Sequence, residues 1–203
     1  MVLIAILNFI SLLSSFIVMG YFYTLSIQPM KRSEKYGDKA WRDCKNFRSI
    51  GSLGELISII NLILWIWFPL PFVNEWIINP NFWIGVIIAV CILIPCIIIM
   101  IKGVKDAGSE TLKPSKETKM YGGIYNYIRH PQTLGEFPIL IAISFIFNSW
   151  FLVILSTLFI IIYTPIMIYY EEIDLTKRFG EKYTEYQKRT GALFPKLRMK
   201  QKK

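Results

Sequence analysis

The run from Phe137 to Tyr170, FPILIAISFIFNSWFLVILSTLFIIIYTPIMIYY, holds 34 residues without one charged side chain. A helix crossing hydrocarbon needs about 20 residues, so the run is too long for one ordinary crossing. Asn148–Ser149–Trp150 near its middle has the composition of a tight turn. The stretch therefore reads as two antiparallel helices, about Gln132–Phe147 and Trp150–Tyr170, lying in lipid.

Outward from this hairpin the same pattern repeats. Of 203 residues, 54% are hydrophobic and 18% charged, against about 45–50% and about 25% in soluble domains. Met1–Met30 carries no charge, and its apolar body Val2–Ile27 is a first span. A secretory signal would have a basic start and a shorter apolar stretch. Leu53–Phe72 is a second span and Phe82–Ile101 a third, with Pro95 expected to kink it. The expected fold is an all-α polytopic bundle of five transmembrane helices, with a short amphipathic helix in the tail Glu171–Lys203. It forms one membrane-embedded domain over 1–203: three spans and their basic loops over 1–119, and a working region over 120–196.

Charge sets the expected orientation. Lys31–Arg48, Lys102–Arg129 and the tail hold all 23 Lys/Arg, whereas Asn74–Asn81 and the hairpin tip hold none. The positive-inside rule then puts the N-terminus outside and the C-terminus in the cytoplasm. The net charge of +9 suits anionic lipid headgroups on that face. Nucleic acid is not an expected partner, because no compact basic fold accompanies the lysines. Cys44, Cys91 and Cys96 are odd in number and lack CxxC spacing, and there is one histidine. Neither a disulfide framework nor a metal site is indicated.

That histidine, His130, sits between Arg129 and Pro131 in Gly122–Pro131, GGIYNYIRHP. Glu171–Glu172 closes the far end of the apolar run. His130 lies about 18 residues before the hairpin tip and Glu171 about 22 after it. At about 1.5 Å per residue both reach one boundary, on adjacent helices. Glu136 falls about one and a half turns deeper. With Tyr121, Tyr125, Tyr127, Tyr169 and Tyr170 nearby, such a site suits a cationic or amphiphilic small molecule. Arginine, tyrosine and glutamate also gather at interfaces as plain anchors. On spacing alone the two readings are equal, and neither names a reaction.

The string GGIYNYIRHP resembles the GxYxxxRHP signature of the isoprenylcysteine carboxyl methyltransferase and phospholipid N-methyltransferase superfamily. The string EEIDLTKRFGEKYTEYQKRTGALFP is similar to its EExxLxxxFGxxYxxY…FP ending, with Glu171, Glu172, Leu175, Phe179, Gly180, Tyr183, Tyr186, Phe194 and Pro195 in register. The likeness covers about Met120–Lys196. It implies an integral membrane methyltransferase that uses S-adenosylmethionine at the cytoplasmic face and acts on a lipophilic or amphiphilic acceptor: a prenylcysteine carboxylate, a lipid amine or a thiol. Carried over, the cofactor-binding residues are Met120, Tyr125, His130, Pro131, Gln132, Thr133 and Glu171, and the catalytic group is Arg129, His130, Glu171 and Glu172. His130 would hold the methionine carboxylate, and Arg129 would position the turn or pair with Glu172.

Three positions depart from the pattern. Thr133 stands where the family commonly has tyrosine, Met167 where the prenylcysteine enzymes have arginine, and Glu117 near a missing histidine. An apolar Met167 leaves an acceptor carboxylate without a cation, which is costly in a buried site. Lipid amines and thiols fit better. Membrane sterol reductases share an RHPxY-type region, so an NADPH-dependent reductase is the alternative enzyme, and a non-catalytic scaffold the alternative outside enzymes. The segment GSETLKPS in the second basic loop is expected to cover the site.

Overall fold

The computed structural model describes residues 1–116, 120 and 122–196. Among these residues the chain is helical, with two isolated bridges and no strand. Four helices are long and apolar enough to cross a membrane. They are α1 (Val2–Ser26), α3 (Lys39–Leu64), α4 (Phe82–Ala107, prolonged by a 3-10 turn Gly108–Thr111) and α7 (Trp150–Phe179). Between and after them lie the shorter α2 (Pro29–Tyr36), α5 (Pro131–Glu136), α6 (Pro138–Ile146) and α8 (Glu181–Arg189).

The helices run past the apolar limits that hydropathy suggests. α3 begins at Lys39 inside the first basic segment and stops at Leu64, before Pro69 and Pro71. α7 continues beyond Tyr170 and ends where Gly180 takes φ +61°. The first arm of the hairpin is divided, because Pro138 cannot donate to the carbonyl of Leu134. The tip itself falls at Asn148, with φ 53°, and the Ser149 hydroxyl caps α7 by accepting from Leu152 N.

Packing relies on small residues and interhelical hydrogen bonds, as lipid supplies no hydrophobic drive between helices. A Cβ on Gly54 of α3 would lie 2.9 Å from Met19 N of α1. Ser15 and Ser58 hydroxyls meet at 2.8 Å across the same seam, and Asn8 Nδ2 donates to Asn61 O. Gly135 brings α5 equally close to α4, where an added Cβ would stand 2.6 Å from Met100 N. Leu12, Phe16, Leu62, Leu140 and Leu152 fill the shared interior, while Ile87, Ile94, Ile161 and Ile162 face outward.

The two ends of the bundle differ in chemistry. At one, Asn148 clasps the backbone of Asn79, and Trp150 N donates to Trp76 O at 2.8 Å. The connector and the hairpin tip, both free of Lys and Arg, thus meet. At the other end Arg48 donates to the carbonyls of Glu110 and Thr111, Lys177 pairs with Glu34 at 2.6 Å, and Lys116 pairs with Asp38. The basic segments converge there.

Candidate active site

The Gly122–Pro131 stretch is shaped by what it packs on. Gly123 adopts φ +60°, and a Cβ there would overlap the Asp106 carboxylate. Asp106 Oδ2 accepts Ile124 N at 2.7 Å, starting the 3-10 turn Gly123–Asn126 from α4. Tyr125 then points inward. Its hydroxyl donates to Gly103 O and accepts from Gln132 Nε2 at 2.9 Å. Burial holds this phenol well above its ordinary pKa, so it stays a donor. The segment after α8 clasps the next residues, because Arg129 N and His130 N both donate to Ala192 O. Pro131 opens α5, where its missing N–H has no consequence.

This backbone brings Arg129 and His130 against α7. Arg129 Nε donates to Glu172 Oε1 at 2.7 Å, and its Nη1 donates to the carbonyls of Gln187 and Thr190. His130 Nδ1 lies 2.8 Å from Glu171 Oε2 and Nε2 lies 3.0 Å from Glu172 Oε1. Carboxylates only accept, so an imidazole gripped by two of them donates from both nitrogens. Burial disfavours that imidazolium, but hydrogen bonds and charge from Glu171 and Glu172 outweigh it and raise His130 to about 9. Arg129, His130, Glu171 and Glu172 then form a neutral quartet, with the His130 side chain only 3% exposed.

Beside the quartet lies a small, half-enclosed cavity that opens at the basic end of the bundle. Tyr125, Arg129, His130, Gln132, Thr133 and Glu171 line it together. Of the other residues singled out from sequence, Glu172 sits behind the quartet, where Gln187 Nε2 also donates to it. Met120 belongs to a smaller adjoining pocket that shares Tyr125, Arg129 and Leu175 with the first. Pro131 is buried beneath, against Gly103. Glu136 meets Glu55 of α3 below the cavity, and Tyr127 and Tyr169 are exposed outside it. Tyr121 and Glu117 lie outside the described residues.

Other wall residues escaped the sequence reading. Asp174, Leu175 and Arg178 face the cavity at three, four and seven residues after Glu171, which is one face of a helix. That period becomes visible once α7 is continued past the apolar run. Arg178 pairs with Glu110 at 2.7 Å and donates to Ser115 O, so Glu110, Thr111 and Pro114 of GSETLKPS form part of the wall. The Asp174 carboxylate accepts from Met30 N and Lys31 N, pinning the start of α2. Arg48 and Tyr23 close the remaining side.

A helical bundle with an apolar outer face and a charged, half-enclosed cavity at its basic end is the architecture of an integral membrane protein with a small-molecule site. Its family is defined by sequence: residues 80–182, which include both the Arg129–Pro131 turn and Glu171–Glu172, match the phospholipid methyltransferase family, and the chain belongs to it. It is also similar to methanethiol S-methyltransferase of Pseudomonas deceptionensis, at 29% identity over 69% of this chain and 56% of that protein. The chain thus spans little more than half the length of that relative. No solved structure is significantly similar to it.

Proposed function

We propose that this chain is a membrane methyltransferase that uses S-adenosylmethionine to methylate a small lipophilic or amphiphilic thiol, working at the cytoplasmic face. The observation that carries this reading is that the Arg129–Thr133 turn and the Glu171 face of α7 line one cavity jointly. Family membership supplies the reaction class. A fifth crossing by α5 and α6, with the N-terminus outside, belongs to the same proposal. Its support is the gathering of the basic segments at one end of the bundle.

The residues present fit the cofactor. Glu171 and Asp174 offer carboxylates to a sulfonium and an ammonium, which form charge-assisted contacts. Arg48 and Arg178 line the cavity, and each has a buried Nε without an acceptor among the described residues. A ligand carboxylate would satisfy them. Both His130 nitrogens are already engaged, so the arginines take the carboxylate-holding role and His130 orients Glu171. Tyr125, Gln132, Thr133 and Met120 remain to enclose the rest. When bound, S-adenosylmethionine supplies an activated methyl group on sulfonium. The chain's own part is to align, to enclose and to exclude water.

Two observations favour a thiol acceptor. The similar protein from Pseudomonas deceptionensis is a methanethiol S-methyltransferase by name. Met167 is fully buried and brings no cation for an acceptor carboxylate. A lipid amine is the second reading, favoured by the description of the family. Purified protein with S-adenosylmethionine and a panel of short thiols, lipid amines and prenylcysteines tests the choice by S-adenosylhomocysteine release. Thiol-dependent release that Glu171→Gln lowers about ten- to a hundredfold at limiting S-adenosylmethionine is expected. Preference for a prenylcysteine would overturn the acceptor, and release with no member of the panel would overturn the reaction.

A further inference from the structure

On the outer side of the bundle, α1 and α7 diverge to leave an open groove of about 800 Å³, distinct from the charged cavity. Its floor is Gly20, where the Tyr163 ring packs flat enough that an added Cβ would lie 3.2 Å from it. Phe16, Phe159, Ile162 and Ile166 give apolar walls. From Phe16 to Leu25 it follows α1 for about 14 Å, close to the roughly 15 Å of one hydrocarbon leaflet.

The groove opens at the basic end under Lys31, Arg32 and Lys35 of α2. The Arg32 guanidinium is held between the rings of Tyr36 and Phe47, at 5.3 and 4.9 Å. Lys31 Nζ sits 5.5 Å from the Tyr170 ring centre. The neighbouring acids are engaged elsewhere: Glu34 with Lys177, Asp38 with Lys116, and Asp174 with the amides of α2. Among the described residues none of the three cations has a carboxylate in ion-pair range, and Arg32 Nε has no hydrogen-bond acceptor. A leaflet-length apolar trough thus ends in three cations that have no ion-pair partner among the described residues, at the basic end of the bundle.

The geometry points to a binding site for an anionic phospholipid, one acyl chain in the α1–α7 groove and the phosphate on Lys31, Arg32 and Lys35. This goes beyond methyl transfer and depends only on the bundle lying in a membrane. Charge complementarity selects the anionic headgroup, and the length of the trough selects a lipid over a free anion.

Native mass spectrometry of the detergent-purified full chain tests it. The probes are phosphatidylglycerol and phosphatidylcholine with identical acyl chains, supplied in equal amounts. Wild type is expected to retain phosphatidylglycerol preferentially. At about a factor of five per cation, K31Q/R32Q/K35Q loses on the order of a hundredfold of that preference. Ile162→Trp fills the trough without touching charge, and is expected to lower retention of both lipids while unchanged helical circular dichroism shows that the fold survives. Equal retention of the two lipids by wild type would overturn the proposal. So would an unaltered preference in the triple variant, or displacement of the lipid by inorganic phosphate, which would mark a free-anion site.

Discussion

His130 controls the residue scale because it is the meeting point of two helices and a turn. Its imidazolium joins Glu171 and Glu172 and faces Arg129 across the shared carboxylate. With a folded-state pKa raised from 6.5 to about 9, its contribution to stability is complete below 6.5 and disappears as pH rises through 9. Thermal unfolding of the detergent-solubilised protein across that interval should therefore show a falling midpoint, and His130→Gln should flatten the fall. A wild-type midpoint indifferent to pH over this window would contradict the imidazolium. The residues Arg129, His130, Glu171 and Glu172 were legible from their order in the chain. Asp106, which caps the turn before them, was not, since an aspartate near the end of α4 carries no mark of the backbone it will meet.

At the scale of elements, glycines decide how closely the helices approach the site. Gly135 allows α5 to rest on the backbone of α4, and α5 begins at Pro131 beside the quartet. Gly135→Leu should force the pair apart, at about 1–3 kcal/mol or more for overpacking. Gly122→Ala, whose added Cβ would meet nothing within 4 Å, should change the melting temperature little. Equal effects from the two would count against the close packing. Chemistry marks some boundaries in the sequence itself, as the turn residues Asn148–Trp150 do. Other boundaries carry no such mark, because helix and apolar run end at different places. The step from Tyr170 to Glu171 marks a change of solvent, while the helix itself continues to Phe179. Asp174 and Arg178, which face the cavity a turn and two turns beyond Glu171, lie past the first boundary and before the second.

For the whole molecule, the division between a basic end and an end free of Lys and Arg places the site and fixes what the bundle can meet. The connector around Glu75 and the hairpin tip share one end, and Arg48, Lys116 and Lys177 gather at the other. Single cysteines at Glu75 and Lys45, in a background without Cys44, Cys91 and Cys96, should react with an impermeant maleimide from opposite sides of sealed cells and inverted vesicles. Labelling of both from one side would contradict five crossings in the proposed orientation. The central claim, that the cavity beside His130 and Glu171 holds the methyl donor, is tested most directly by calorimetric titration of S-adenosylmethionine and S-adenosylhomocysteine into the purified protein. Wild type and Glu75→Gln, altered at the far end, should bind saturably and alike. Glu171→Gln should bind about ten- to a hundredfold more weakly, the range of a lost charge-assisted hydrogen bond. No binding by well-folded wild type, or equal loss in both variants, would contradict the account.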